Sequence, residues 1–434
     1  MFHATFDPAD LTVFCGLDEL GLVAVGQRIE PSGAVLECRV VAPDEFCGRC
    51  GAEGISRGTN VRRLAHVPFG GRPTTLVVRL PRWRCSGCGR SWRHDLAHAA
   101  EPRSRLSRGA LAWALAALVV DHLTVSRVAA RLGVSWHTAN TAVLDEGRRV
   151  LISDPARFDG VAVIGVDEHA WRHTRAGDRY VTVIIDLTPV RDRTGPARLL
   201  DMVEGRSKPV FKTWLQQQTP AFRDGVEVVA MDGFTGFKTA AAEAVPDAVE
   251  VMDPFHVVQL AGDALDRCRQ RIQQATLGHR GRSGDPLYGI RRALHTGEGF
   301  LTDRQRSRIL AAFAADEQHI AVEVTWSVYQ DIVTAYRDED RARGRAALQT
   351  AIRSIGRGVP AGLEELRRLG RTLRTRAADV LAYFDRPGTS NGPTEAINGR
   401  LEHLRGSALG FRNLTNYIAR SLLETGGFRP HLPA

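Results

Sequence analysis

The sequence lacks an apolar run long enough to cross a membrane, and a buried helix explains its longest, ALAWALAALVV at positions 110–120. Its start, MFHATFDPADLTVF, has no basic stretch leading into an apolar core, so we expect no secretory signal and a cytoplasmic protein. No internal repeat and no long low-complexity tract are present, which excludes a repeat architecture. Because 434 residues are too many for one ordinary core, we expect roughly two to four domains.

Lysine is nearly absent from the sequence. Of 58 basic residues only three are lysines, at Lys208, Lys212 and Lys238, and the others are arginines. A GC-rich genome explains this preference, although arginine also suits bidentate contact with phosphate. The 49 acidic residues leave a net charge of +9, which favours a nucleic-acid partner. A hydrophobic content of 43% with 25% charged residues is typical of a globular protein.

Four of the seven cysteines form two CxxC pairs, in FCGRCG and WRCSGCGRSW. This spacing lets two thiolates reach one metal ion from a tight turn, and two such turns supply the four ligands of tetrahedral Zn²⁺. We therefore expect a closed, structural zinc site formed by Cys47, Cys50, Cys85 and Cys88. The alternatives are four unrelated buried cysteines or redox-active pairs.

Arginine and tryptophan surround the second cysteine pair, which suggests a surface for DNA phosphates. These residues are Arg82, Trp83, Arg84, Arg90, Trp92 and Arg93. We expect Arg82 and Arg84 in particular to contact DNA.

The segment TVSRVAARLGVSWHTANTAVLDEG, positions 124–147, has the pattern of a helix-turn-helix. Gly133 lies at the turn between two short amphipathic helices, and Ser135 is suited to cap the second. The second helix would enter a DNA major groove, with its first residues contacting base edges. The candidates for these contacts are Trp136, His137, Thr138 and Asn140. A hairpin of two helices without a DNA contact is the alternative.

Five short runs rich in valine and isoleucine follow from about position 161, and helical segments separate the later ones, which is typical of an α/β sheet. Three of these runs end in a carboxylate, at Asp167, Asp232 and Asp253. Strand ends that meet at one edge bring such groups together, and they repel one another unless a hard cation such as Mg²⁺ or Mn²⁺ lies between them. A further carboxylate, Glu395, lies at the start of a C-terminal helix. The alternative is that each aspartate is only a turn or helix-cap residue.

The order of four segments, GVDEHAW, AMDGF, DPFHVV and NGPTEAINGRLEHLRGSALGFRN, resembles the DDE insertion-sequence transposases. It is most similar to the ISL-three group, which also carries an N-terminal zinc-binding segment and a helix-turn-helix. The resemblance covers the chain from about residue 45 onward. It implies a multidomain α/β fold, in which a ribonuclease-H-like mixed sheet flanked by helices is interrupted by an all-helical insertion and preceded by the zinc-binding domain and the helix-turn-helix.

The expected domains follow that plan along the chain. They are a zinc-binding domain at 1–100, a helix-turn-helix domain at 101–155, the first part of the catalytic core at 156–265, a helical insertion at 266–385 and the final part of the core at 386–434.

The resemblance also assigns roles to particular positions. Asp167, Asp232 and Glu395 match the three catalytic carboxylates, which would bind two Mg²⁺ or Mn²⁺ ions. Asp253 and His256 match an element that lies near the core without supplying a ligand. In AMDGFTGF the sequence departs from relatives that more often have Met after the aspartate, but the aspartate itself is in place.

The last helix and the segment after it carry further candidate phosphate contacts, at Arg400, Arg405 and Arg412. A solvated helix face explains any one of them equally well. His169 and His256 are candidates for positioning the substrate, and the preferred interpretation for both is a role in the core or in support of the metal-binding residues.

The implied function is that of a DNA transposase. It would bind double-stranded DNA at the ends of its insertion sequence, cut there with water as the nucleophile, and join the freed 3′-hydroxyl to target DNA. We expect a homodimer on paired ends, associated with the nucleoid and not with a membrane. The alternatives are a domesticated transposase that acts only as a DNA-binding regulator, and another ribonuclease-H-like nuclease.

Overall fold

The computed structural model describes residues 10–173 and 179–432. The first part of the chain contains a short helix, five β-strands and three further helices. These elements are α1 Leu11–Phe14, β1 Leu22–Glu30, β2 Gly33–Val40, β3 Gly54–Phe69, β4 Arg72–Cys85, β5 Ser91–Arg93, α2 Arg108–Val119, α3 Val125–Leu132 and α4 Trp136–Gly147.

Strands and helices alternate in the middle of the chain. They are β6 Val163–Ala170, β7 Tyr180–Asp186, α5 Thr188–Arg191, β8 Arg198–Glu204, α6 Lys208–Gln217, α7 Pro220–Gly225, β9 Val228–Met231, α8 Thr235–Ala244 and β10 Val249–Met252. Helices follow, and they are α9 Pro254–Leu277, α10 Pro286–Ile290, α11 Asp303–Ala314, α12 Ile320–Arg337, α13 Arg341–Gly356, α14 Glu364–Thr375, α15 Ala377–Asp385, α16 Gly392–Ser407 and α17 Leu414–Thr425. Within the described ranges, no helix is both long enough and apolar enough to span a bilayer.

These elements form two compact units, which divide at residues 157/158 and 403/404. One unit contains α1 to α4, β1 to β5 and α17, and the other contains β6 to β10 with the helices from α5 to α15 and most of α16. The predicted five-part division is finer than this one. Its last segment, 386–434, is shared between the two units.

The first unit is built on a five-stranded sheet in the order β1-β2-β4-β3, with β5 paired to β4. The long hairpin of β3 and β4 turns at Gly70 and Gly71, which both have positive φ. In the same unit, α17 packs against α2 and α4. A Cβ on Gly147 in α4 would lie 2.8 Å from a methyl carbon of Leu423, so the absence of a side chain there lets α17 approach.

The second unit contains a five-stranded mixed sheet in the order β10-β9-β6-β7-β8. Strands β6, β7 and β8 pair as antiparallel neighbours. Strand β9 pairs in parallel with β6, and β10 pairs in parallel with β9. Numbered within the sheet, this is the order 5-4-1-2-3, and it confirms the expected ribonuclease-H-like sheet. Helices α6 and α8 cover it with large buried aromatic side chains, Phe211, Trp214 and Phe237.

The predicted helical insertion is present after β10. Helix α9 packs against α12 and α14, α13 lies between α12 and α14, and α15 returns to β10. Its core consists mainly of leucine and isoleucine side chains from these helices. Helices α13 and α14 approach closely at Gly370, where a Cβ would lie 1.9 Å from the carbonyl oxygen of Ile355.

Replacing Gly370 with alanine should therefore destabilise the insertion by about 1–3 kcal/mol, because α14 must move away from α13. Gly399→Ala is the matched control, since that helical glycine has no atom within 4 Å of the added Cβ and alanine favours a helix by about 1 kcal/mol. Urea unfolding of both variants measures the difference. Equal stability of Gly370→Ala and the unchanged chain would show that the two helices are not in close contact.

Candidate functional site

Asp167 and Asp232 lie side by side at one edge of the mixed sheet. Strand β6 pairs in parallel with β9, and the last pair in register is Val166 with Met231. The next residue on each strand is the aspartate. Parallel pairing therefore places two carboxylates from distant parts of the chain at the same edge, as the sequence predicted.

Helix α16 brings Glu395 to this edge. Glu395 lies in the first turn of the helix, and one turn further on the side-chain amide of Asn398 donates a hydrogen bond of 2.9 Å to Asp167. The start of the helix approaches β6 at Gly165, where a Cβ would lie 2.7 Å from Oγ1 of Thr394. Only glycine at this position leaves room for the approach.

Burial and the negative charges at this edge raise the pKa of Asp167. The pKa of Asp167 is raised to about 7, mainly by burial, and the negative charges of Asp232, Glu168 and Glu395 contribute to the rise. The backbone N–H of Glu168 opposes it by donating to the carboxylate. A buried carboxylate among other carboxylates is the donor set that a hard divalent cation prefers. Asp167, Asp232 and Glu395 thus fit Mg²⁺ or Mn²⁺ by ligand chemistry.

The three carboxylates share this edge without forming a closed cage of ligands. In the part of the chain that the structure describes, only the four paired cysteines place three or more possible ligand atoms within 4.8 Å of one another. Asp232 lies in a turn, where its carboxylate accepts a hydrogen bond of 2.8 Å from the backbone N–H of Phe234.

Asp253 and His256 lie beside these residues and support them. Asp253 is buried at the start of α9, and its carboxylate accepts the backbone N–H of Asn391 at 2.9 Å and the hydroxyl of Ser390 at 3.2 Å. It thereby ties the loop before α16 to the end of β10. The ring of His256 packs on Gly233, where a Cβ would lie 2.1 Å from Nε2. That Asp253 and His256 position the catalytic edge without binding metal stays a prediction.

His169 is buried at the end of β6, in keeping with the preferred core interpretation. Its Nε2 lies 4.0 Å from a carboxylate oxygen of Glu402 in α16.

Sequence reasoning missed a buried ion-pair cluster beside Asp232. Arg376, at the junction of α14 and α15, pairs with Asp379 and donates a hydrogen bond of 3.0 Å to the carbonyl of Gly233. Lys238 of α8 pairs with the same Asp379 at 2.9 Å. Because Arg376 and Gly233 are 143 positions apart, no local pattern in the sequence signals the contact.

The four paired cysteines converge on one point, as predicted. The Sγ atoms of Cys50 and Cys85 are 3.3 Å apart and those of Cys47 and Cys88 are 3.7 Å apart. Backbone N–H groups of Cys88 and Gly87 donate to Sγ of Cys85 and lower its pKa to about 6, so this thiol ionises readily. Four sulfur atoms at this spacing fit a tetrahedral zinc ion with no open position, which is a structural site.

The arginines around this cluster lie on the exposed face of β4 and β5. Arg82 and Arg84 are exposed, and Arg82 is the cross-strand neighbour of Arg93. The tryptophans have a different role, because Trp83 is buried and its ring stacks on that of Trp92 at 6.0 Å between centroids. They support the fold of the cluster, and the arginines remain available for phosphates.

The helix-turn-helix forms as the sequence predicted. Gly133 ends α3 in the left-handed conformation, and the hydroxyl of Ser135 caps α4 by accepting the backbone N–H of Thr138 at 3.2 Å. At the start of α4, Trp136 is 46% exposed and His137 is also exposed.

The remaining predicted DNA contacts differ in their exposure to solvent. Asn140 is only 8% exposed, because it lies on the inward face of α4 beside Ala139, so its prediction as a base contact is wrong. Among the C-terminal arginines, Arg400 and Arg412 are exposed and Arg405 is half-buried.

Comparison with known proteins agrees with this arrangement. A DDE transposase model of the ISL3 family matches residues 164–421. A model for the zinc-finger of transposase IS204/IS1001/IS1096/IS1165 matches residues 43–88, and one for the helix-turn-helix domain of transposase family ISL3 matches residues 98–146.

Two relatives are similar over much of the chain. The transposase for insertion sequence element IS1557 of Mycobacterium tuberculosis is 25% identical and covers 94% of this chain and 89% of its own length. The transposase for insertion sequence element IS1001 of Bordetella parapertussis is 29% identical over 52% of each chain. The Drosophila P element transposase strand transfer complex aligns with a TM-score of 0.35 at 11% identity, over 72% of this chain and 90% of that one.

Replacing Cys85 with serine should release the zinc ion, since three thiolates hold it far more weakly than four. The chain as isolated should contain one zinc per molecule by elemental analysis, and the variant close to none. Cys268→Ser is the control, because Cys268 is buried in the helical insertion and should leave the zinc content unchanged. A full zinc content in Cys85→Ser would exclude this ligand set.

Replacing Asp167 with asparagine should stabilise the chain in EDTA at pH 8 by on the order of a few kcal/mol. The pKa of this carboxyl rises from 3.8 to about 7 on folding, so ionising it costs stability progressively as the pH rises through that window, and asparagine removes the cost. Asn398 can accept a hydrogen bond from the new amide after rotation, since its Oδ1 has no hydrogen-bond partner among the described residues.

Urea unfolding in EDTA at pH 8 and at about pH 4 measures this effect, which should shrink at the lower pH. Added Mn²⁺ should stabilise the unchanged chain and not the variant. The exposed Asp224→Asn is the control and should behave as the unchanged chain in every condition. A less stable Asp167→Asn at pH 8 would contradict the electrostatic account.

Proposed function

We propose that this chain, which belongs to the ISL3 family of DDE transposases, cuts and joins DNA with Asp167, Asp232 and Glu395. The chain is an insertion-sequence transposase, and zinc-finger and helix-turn-helix segments precede its catalytic region. The field around Asp167 supports the assignment of the three residues. The negative charges of Asp232 and Glu395 contribute to the raised pKa of Asp167. These two residues belong to a different strand end and to a helix far along the chain.

Two Mg²⁺ or Mn²⁺ ions bound by these carboxylates would activate the attacking oxygen and stabilise the leaving oxygen of a phosphodiester. Hydrogen bonds within the chain hold two of these carboxylates in place. Asp167 is held by Asn398 and by the N–H of Glu168, and Asp232 by the N–H of Phe234. Water would attack first at the element's end, and the freed 3′-hydroxyl would then attack target DNA without a covalent intermediate on the enzyme.

The DNA-binding segments support double-stranded DNA as the substrate. The start of α4, with Trp136 and His137 exposed and Thr138 half-buried, is suited to a major groove. Exposed arginines on the zinc-binding segment and on α16 are suited to phosphates, and they include Arg82, Arg84 and Arg400. Two element ends must be joined to one target, so we propose a homodimer that works at the nucleoid.

The experiment is cleavage of a labelled duplex that carries the element's own end, with Mg²⁺ or Mn²⁺ and with EDTA. Asp232→Asn should reduce metal-dependent nicking at the element boundary to background, because one of the metal-binding carboxylates is lost, and should leave end binding nearly intact. Asp224→Asn, an exposed carboxylate of the same unit, is the control and should cleave normally.

Two other outcomes lead elsewhere. Specific binding by the unchanged chain without cleavage of paired ends would favour a DNA-binding regulator with relic carboxylates. Loss of binding and cleavage together in Asp232→Asn would mean that this residue is structural.

A further inference from the structure

The positive charge of the chain is concentrated in one part of the helical insertion. Residues 341–376, which comprise α13, α14 and the loop between them, contain ten arginines, no lysine and two glutamates. Their net charge is +8, whereas that of the entire chain is +9. An arginine-rich genome explains the choice of arginine over lysine but not this concentration of unbalanced charge.

Some of these arginines stabilise the insertion itself. Arg341 donates to the carbonyls of Tyr383 and Phe384, and Arg343 and Arg345 form ion pairs with carboxylates near the ends of α12 and α15. Six others are exposed, and in the part of the chain that the structure describes none has a carboxylate within 4.0 Å. We call these six the arginine face, and they are Arg353, Arg357, Arg367, Arg368, Arg371 and Arg374.

Helix geometry makes most of this face continuous. Helix α14 buries Leu366, Leu369 and Leu373, and its arginines fill the opposite side. Arg367, Arg371 and Arg374 are spaced i, i+4, i+7 and so lie above one another in one stripe.

The acidic residues of α14 do not neutralise this stripe. Glu364 and Glu365 lie in the first turn of the helix, and both pair with Arg271 of α9. Like charges one helical turn apart cost a few tenths of a kcal/mol per pair, and a solvated helix face ordinarily avoids this by mixing signs. The arrangement is therefore suited to a partner that carries regularly spaced negative charge.

The arginine face begins next to the catalytic edge. Arg374 lies two residues before Arg376, which donates to the carbonyl of Gly233, the residue after Asp232. Helix α14 has 12 residues and is therefore about 18 Å long, so its stripe leads from the edge along the insertion. At the C-terminal end of α14, Arg374 donates a hydrogen bond to the carbonyl of Gly356. Arg357, the next residue after Gly356, therefore lies close to Arg374.

We propose that the arginine face binds the phosphate backbone of duplex DNA where the DNA leads away from the active site. The stripe from Arg367 to Arg374 covers about 10 Å, which corresponds to about three phosphates of one strand. The contact is independent of base sequence, and it is separate from the helix-turn-helix. The proposal rests on the proposed function, because the catalytic edge defines where the DNA runs.

The test is a double variant, Arg368→Gln with Arg371→Gln, because neither side chain makes a hydrogen bond or ion pair with the residues that the structure describes. The matched control is Arg292→Gln with Arg304→Gln, which removes the same charge from exposed positions elsewhere in the insertion. The full chain is titrated with a fluorescent duplex of about 40 bp and arbitrary sequence, in EDTA, at salt concentrations from about 50 to 300 mM.

The variant of the arginine face should bind about tenfold more weakly at 0.1 M salt, and its plot of log affinity against log salt should be less steep by about 1.8, for two phosphate contacts. The control variant should keep the affinity and the slope of the unchanged chain. Equal affinity and slope in both variants would overturn the proposal. So would a changed oligomeric state by light scattering with unchanged DNA affinity, since the face would then contact a second copy of the chain.

Because binding is measured without divalent metal, the result is independent of cleavage. Weaker binding in the variant, together with an unchanged chain that fails to cut its own element end, would support the arginine face and contradict the proposed catalytic function.

Discussion

Asp167 and Asp232 occupy equivalent places at the ends of two parallel strands, and their like charges repel at an edge where Asp167 is partly removed from water. Such a pair persists only when the surrounding structure fixes both groups. Strand β6 is paired on both sides, and the carboxylate of Asp167 accepts hydrogen bonds from Asn398 and from the N–H of Glu168. The sheet therefore supplies a rigid edge whose electrostatic cost a divalent cation would offset.

The third carboxylate depends on contacts made far along the chain. Helix α16 starts about 140 residues after β10, and the entire helical insertion folds between them. Asp253 holds the preceding loop through Asn391 and Ser390, and Gly165 leaves space for the first turn. Buried charges in the insertion, Arg376 and Asp379, reach the backbone beside Asp232, so the insertion and the catalytic edge share contacts as well as chain connectivity.

Local patterns in the sequence predicted what depends on local physics. Two CxxC pairs, a glycine at the helix-turn-helix turn and valine-rich runs that end in aspartate each constrain a few neighbouring residues, and the structure places them accordingly. Asn140 was misjudged because polarity near a helix start indicates exposure only on the outward face, and the face is set by packing with other helices. The position of α17 in the N-terminal unit and the role of Arg376 follow from contacts between distant segments, which no periodicity reveals.

The second unit separates the groups that would attract DNA from the groups that would act on it. A duplex approaching three carboxylates is repelled by them, whereas the exposed arginines of α14 attract it over a length of about 18 Å. Salt screens exposed charges much more strongly than buried ones. Ionic strength should therefore change how tightly the arginines hold DNA much more than it changes the pKa of the largely buried Asp167.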